Sequence, residues 1–221
     1  MGKRILLVGA TGLVGQGVLR VLLGSDQVKA VSVLVRSPLA SPDPRVQVLL
    51  APEFSAGVLA AIDLRDHDAC LYCAGPMPLG LSEAAYREAT VATLERVLAA
   101  YAGANPGCFV AYISGMGADA SSALMPLRVK GEAEQVLARS GLAHTSVRPG
   151  VVRPVQGTVS PHRLRRGLYT LGDPLLALLA GACPRVFTTT EAIGRCLLRL
   201  VICPGPRPAV VENADIAANA G

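Results

Sequence analysis

Gly9-Ala10-Thr11-Gly12-Leu13-Val14-Gly15 is the stretch on which the fold reading turns. It follows the aliphatic run Lys3–Val8 and opens the segment Leu13–Leu23. That segment has apolar residues at 14, 18, 21 and 22, the spacing of one helix face. The glycines therefore lie in a strand–turn–helix context. Gly9 permits the tight turn, Gly12 lets backbone approach a diphosphate, and Gly15 lets the helix pack close to the sheet. Free amide groups and the positive end of the helix dipole then face anionic oxygens. Gly9, Thr11, Gly12, Leu13, Val14 and Gly15 are the candidate phosphate-binding residues, for a dinucleotide rather than as a bare packing turn.

Outward from this turn, apolar strands alternate with helices. Strands are expected at 31–35, 46–50, 69–73, 109–113 and 145–147, and helices at 56–64, 82–101 and 126–140. Continuous apolar strands separated by helices predict a parallel sheet covered on both faces, an α/β doubly wound sheet of Rossmann type. The chain has 221 residues, which one such domain can hold, with 151–190 forming a small C-terminal cover on the substrate side. Ligands bind such sheets beyond the carboxyl ends of the strands.

Composition excludes several classes. Hydrophobic residues make up 51% and charged residues 17%, too apolar for a disordered chain. Aromatics are 4% with no Trp, a poor platform for stacking nucleic-acid bases, and only three lysines occur. Apolar runs such as Leu175–Cys183 fall short of a bilayer span, and Lys3–Ala10 breaks into glycine too early for a secretory signal. A cytoplasmic protein with no nucleic-acid or membrane partner is expected. The six cysteines include Cys70 and Cys73, but strand alternation points these two to opposite faces. They are read as buried structural thiols, and no metal site is expected.

The end of the second strand sets the cofactor preference. A carboxylate there would bond a ribose 2′-hydroxyl; this chain has Val35-Arg36-Ser37. A guanidinium pairs with a 2′-phosphate, so NADP(H) is expected over NAD(H), the alternative being an exposed strand-end arginine.

Gly9–Gly15, Val35-Arg36-Ser37-Pro38, Tyr112–Asp119, Arg128-Val-Lys-Gly-Glu132 and Arg148-Pro149-Gly150 together resemble the atypical short-chain dehydrogenase/reductases. More closely, the chain is similar to small bacterial NAD-dependent epimerase/dehydratase-type proteins, from Lys3 to the Glu212–Ile216 tail. The resemblance implies an oxidoreductase or nucleoside-diphosphate-sugar epimerase-like enzyme acting on a small substrate. It implies that Glu53 and Phe54 meet the adenine, and that Cys73, Ala74 and Gly75 pass the adenine ribose. It also implies that Ser114 is the catalytic serine, that Lys130 bonds the nicotinamide ribose, and that Pro149 and Gly150 lie beside the nicotinamide.

One departure is large. The family's Tyr-x-x-x-Lys has Pro126 in the tyrosine position. Proline suits the first turn of a helix but has no proton to give. Tyr86, which shares a helix face with Thr90, is a substitute proton donor or a packing residue. Ser114 is alternatively a strand-end cap, and Lys130 an exposed lysine paired with Glu134 one turn on. Arginines 148, 153, 163, 165 and 166 would suit an anionic substrate or form a solvated surface, the latter favoured. The missing phenol also leaves open a non-catalytic NADP(H)-responsive regulatory protein. Oligomeric state is left open.

Overall fold

The computed structural model describes residues 2–41, 43–154 and 186–218. Its first six strands are β1 (Lys3–Val8), β2 (Val28–Val35), β3 (Val46–Leu50), β4 (Ala69–Tyr72), β5 (Phe109–Ile113) and β6 (Ala143–Arg148). A short pair follows, β7 (Val151–Arg153) with β8 (Phe187–Thr189), and then β9 (Val210–Glu212). The main sheet has seven strands in the order β3-β2-β1-β4-β5-β6-β9. All of its neighbours pair in parallel. Sequence order reverses between β1 and β4, and at that switch the flanking helices part to leave a crevice.

The helices are α1 (Leu13–Leu23), α2 (Ala56–Ala60), α3 (Glu83–Arg87), α4 (Thr93–Ala104), α5 (Met125–Arg139), α6 (Thr190–Ile202) and α7 (Asn213–Ala218). They divide the core into two layers. One holds Ile5, Leu7, Val18, Leu22, Val33, Leu71 and Ala111 with Ile193 and Leu197 of α6. The other holds Leu6, Val8, Cys70, Tyr72 and Tyr112 with Leu94 and Leu98 of α4 and Leu137 of α5. Alternation along the strands produces this division: Cys70 packs in the second layer and Cys73 against the first, on opposite faces as expected.

Differences from the sequence expectations have local causes. The helix expected over 56–64 ends at Ala60, where the Ala61 and Ile62 amides bond three residues back, to the Val58 and Leu59 carbonyls, each at 3.2 Å, and tighten the last turn. The helix expected over 82–101 runs to Ala104 and contains a π turn at Glu88–Ala92. There Thr93 Oγ1 donates to the Glu88 carbonyl, five residues back, at 3.0 Å. Strands β7, β8 and β9 and helices α6 and α7 are not among the expected elements; the strands are three residues each, too short for periodicity, whereas α6 does carry a helical apolar face at Ile193, Leu197, Leu200 and Val201. Most of the cover expected over 151–190 falls on 155–185, outside the described residues.

Two close backbone approaches hold the helices to the sheet. A Cβ on Gly15 would collide with the Gly9 carbonyl, and one on Gly131 with the Ala120 amide. The second approach seats the loop after β5 on α5, where the Asp119 amide also donates to the Leu127 carbonyl at 3.1 Å. Gly131→Ala is therefore expected to cost about 2–3 kcal/mol in urea denaturation. Gly103→Ala, where a Cβ meets nothing within 4 Å, is expected to be neutral or to stabilise by up to about 1 kcal/mol. Equal effects of the two would contradict the packing described.

Candidate functional site

The crevice at the strand switch is a cavity of about 420 Å³. Its walls include Gly9, Thr11 and Gly12 after β1, Arg36 after β2, Glu53 and Phe54 after β3, and Cys73, Ala74 and Gly75 after β4. The turn after β1 is wound tightly, with Gly9 at φ 85° and the Gly12 amide donating to the Gly9 carbonyl at 3.0 Å. Gly12 is the N-cap of α1, no side chain caps that end, and no acidic residue stands in the first turn. The amides and dipole of an eleven-residue helix thus face the cavity with no acidic side chain in the helix's own first turn to satisfy them. A Cβ on Gly9 would stand 2.7 Å from Ala74 backbone, so the floor is bare main chain. These features fit a diphosphate. Leu13 and Gly15 are buried and Val14 packs against the core, behind the turn rather than on the cavity wall.

Arg36 is exposed at the rim and Phe54 is buried. Glu53 is exposed and accepts from Ser55 Oγ at 2.9 Å. Motif spacing did not single out Tyr72, Ala89 and Thr93, which also line the cavity. Nor did it single out Arg96, whose Nε donates to the Phe54 carbonyl at 2.7 Å and whose guanidinium pairs with Glu88 at 2.8 Å. Arg96 ties the loop after β3 to α4. Its signal was available only as an arginine on an otherwise half-buried helix face.

A second group gathers at the ends of β4 and β5. Ser114 is buried directly after β5, and its Oγ has no hydrogen-bond partner. Its amide donates to the Val147 carbonyl at 2.8 Å, so main chain, not the side chain, holds the position. Lys130 projects from α5 and donates to Tyr112 Oη and the Ile113 carbonyl, each at 3.1 Å. Burial pulls its ammonium down to about 8, with Glu134 opposing. Pro126 stands in the first turn of α5, as expected. Tyr86 is 2% exposed, and burial pushes its phenol up, with the Thr90 hydroxyl pulling slightly back. That interaction is weak in geometry, since Thr90 Oγ1 makes no full hydrogen bond.

The pairing of Lys130 with Glu134 does not form. Arg148 takes both Glu134 oxygens, at 2.9 and 2.6 Å, and reaches Glu212 at 2.8 Å. A planar guanidinium grips a carboxylate at two points, which an ammonium cannot match. Arg148 is thereby spent on α5 and β9. Arg163, Arg165 and Arg166 lie outside the described residues. Pro149 is buried, its carbonyl accepting from the Met116 amide at 2.9 Å, and the Gly150 amide donates to Asn213 Oδ1 at 2.7 Å. A Cβ on Gly150 would collide with the Val186 carbonyl.

Among the described residues, no group of three or more His, Cys, Asp or Glu side chains is placed to hold a metal ion. No described helix is long and apolar enough to cross a membrane. A larger hollow of about 840 Å³ lies between α2 and α4. Its lining is mainly alanine and leucine, with Arg65 already paired to Asp63 at 2.8 Å. Lacking convergent polar groups, it is a furrow between helices rather than a small-molecule site.

Arg148→Ala would leave Glu134, 13% exposed, without its partner. A loss of about 3 kcal/mol is expected in urea denaturation, at least half recovered by adding Glu134→Gln. A loss below about 1 kcal/mol would contradict this role.

No protein-family model matches the sequence, and no curated protein matches it. Solved structures do match. A short-chain dehydrogenase from Burkholderia cenocepacia, in complex with NADP, superposes with a TM-score of 0.67 at 17% identity, over 98% of this chain and 92% of that one. A glucuronic acid dehydrogenase from Chromohalobacter salexigens gives 0.69 at 13% identity, over 96% and 76%. The Bordetella bronchiseptica enzyme WbmF, in complex with NAD+, gives 0.66 at 15% identity, over 98% and 77%. What they share with this chain is the fold, a parallel sheet with flanking helices of the α/β Rossmann type.

Proposed function

We propose that the chain binds NADP(H) in the 420 Å³ crevice and works as an oxidoreductase or epimerase-like enzyme on a small molecule held near Ser114. The observation that carries this reading is the combination of an uncapped, glycine-floored helix start with a guanidinium at the end of β2. The amide cradle suits the diphosphate, and Arg36 suits a ribose 2′-phosphate, which a carboxylate in its place would repel. Glu53 and Phe54 would meet the adenine, Cys73–Gly75 its ribose, and Lys130 with Pro149 and Gly150 the nicotinamide end. The structural neighbours include complexes with NADP and with NAD, in keeping with either dinucleotide.

When bound, the cofactor supplies or accepts hydride. The chain's own residues then have defined tasks. Ser114 Oγ, buried and unpartnered, is free to donate a hydrogen bond to a substrate oxygen and so stabilise charge developing there. Tyr86 is too enclosed to give up its proton readily, so its role is to pack the wall beside Thr90.

The substrate side is apolar where it is described. Leu79 is 81% exposed and Leu124 64%, with Met77 and Met116 also exposed on the loops after β4 and β5. Two neighbours are MoeE5 complexes with UDP-glucuronic acid and with UDP-glucose. Arg148 is engaged with two carboxylates, so this chain would need another cation to take an acidic sugar.

A second reading, a regulatory protein that binds NADP(H) without turnover, is favoured by Pro126 and the enclosed Tyr86. A cytosolic location is part of this reading.

Parallel titrations test the cofactor. NADPH is expected to bind at least tenfold more tightly than NADH, and Arg36→Asp to reverse or abolish the preference. Equal affinities in the unmodified protein would contradict the role of Arg36. NADPH oxidation with any carbonyl or sugar substrate, lost in Ser114→Ala, separates enzyme from regulator.

A further inference from the structure

Lys130 is held in an uncommon way. Its ammonium turns inward from α5 to the end of β5, where the Ile113 carbonyl and the Tyr112 phenol oxygen accept two of its three N–H bonds. The Tyr112 ring centroid lies 4.9 Å from Nζ, and that ring packs on Tyr72 at 5.8 Å. Nζ also stands 3.7 Å from where a Cβ on Gly75 would be, so the ammonium borders the crevice floor at the end of β4.

Among the described residues, no carboxylate bonds this ammonium. Glu134, on its own helix, gives both oxygens to Arg148 of β6. Directly after β4 the Cys73 thiol is pushed up to about 12 by burial and stays neutral. Burial likewise raises the phenols of Tyr112 on β5, Tyr72 on β4 and Tyr86 on α3. The charge on Lys130 therefore rests on two neutral oxygens, one of them on a side chain that mutation can remove. Tyr112 itself is fully buried and can touch no ligand.

We propose that Tyr112 is a positioning residue for the dinucleotide crevice: its phenol oxygen, with the Ile113 carbonyl, fixes the Lys130 ammonium at the β4–β5 edge and keeps it charged there, so that cofactor affinity follows the proton on Lys130. This rests on the NADP(H) reading above. A charged Lys130 offers its remaining N–H to hydroxyl and phosphate oxygens. A neutral one loses the charge and exchanges its charge-assisted bond to Tyr112 for a weaker neutral one. Since the folded protein releases this proton near pH 8, below the ordinary lysine value of 10.5, affinity is full below pH 8 and falls as pH rises through it.

The test uses the full chain and NADPH between pH 7 and 10. In the wild type the dissociation constant should rise several-fold through pH 8, and in Lys130→Met it should be weak and flat. Tyr112→Phe keeps the ring but removes the acceptor. Its midpoint should move down by about one pH unit, with weaker binding at pH 7 and wild-type binding at pH 10. A Tyr112→Phe profile that overlays the wild type, or a flat wild-type profile, overturns the proposal. If Tyr112→Phe does not fold, the contrast between wild type and Lys130→Met decides the pH dependence. NMR titration of the Lys130 ε-carbon in cofactor-free protein separates the two readings. A downward-shifted midpoint in Tyr112→Phe supports the role of Tyr112 even if NADPH does not bind, and an unchanged midpoint rejects it.

Discussion

Between β1 and α1 the chain turns so tightly that no side chain fits on the inner side. Gly15 lies under the Gly9 carbonyl, and Gly9 lies against the backbone of Ala74. That contact does two things at once. It brings the start of α1 down onto the sheet, and it joins the end of β1 to the end of β4 across the point where strand order reverses. The crevice, its bare amide floor and the approach of Arg36 from β2 all follow from it. A methyl group at either glycine would overlap backbone across this contact and force these parts apart.

Charge in the rest of the site is arranged around a division of labour between two cations. Arg148 is a structural clamp, binding α5 to β6 and β9 through Glu134 and Glu212. Because it satisfies Glu134 at both oxygens, Lys130 forms no ion pair among the described residues and turns inward to neutral acceptors. The clamp ties α5 to the sheet edge, while burial lowers the proton affinity of the lysine beside the crevice against the opposing field of Glu134. The arginine offered for an anionic ligand serves the fold, and the lysine is the cation that borders the crevice floor beside Gly75.

What could be read from the sequence was whatever lies in one continuous segment. The strand–glycine–helix run showed its turn because all the parts are adjacent, and six of the main strands showed as apolar runs for the same reason. Features that depend on partners distant in the chain were hidden. The Arg148–Glu212 pair joins residues 64 apart, and Lys130 reaches Tyr112 across 18. The spacing of Lys130 and Glu134 suggested a helical ion pair, and a better-matched competitor from β6 overrode it. The strand β9, three residues long, has no periodicity to detect, and the π turn at Glu88–Ala92 depends on a threonine hydroxyl that pattern alone does not reveal.

The central claim is that the glycine turn and its amides hold the diphosphate of a dinucleotide, with Arg36 beside the adenosine. A crystal structure of the protein with NADPH tests this most directly. The account requires diphosphate density over Gly9–Gly15 and the 2′-phosphate within reach of the Arg36 guanidinium. Crystals grown or soaked at saturating NADPH in which that turn carries no nucleotide, or in which the nucleotide lies elsewhere, would contradict it.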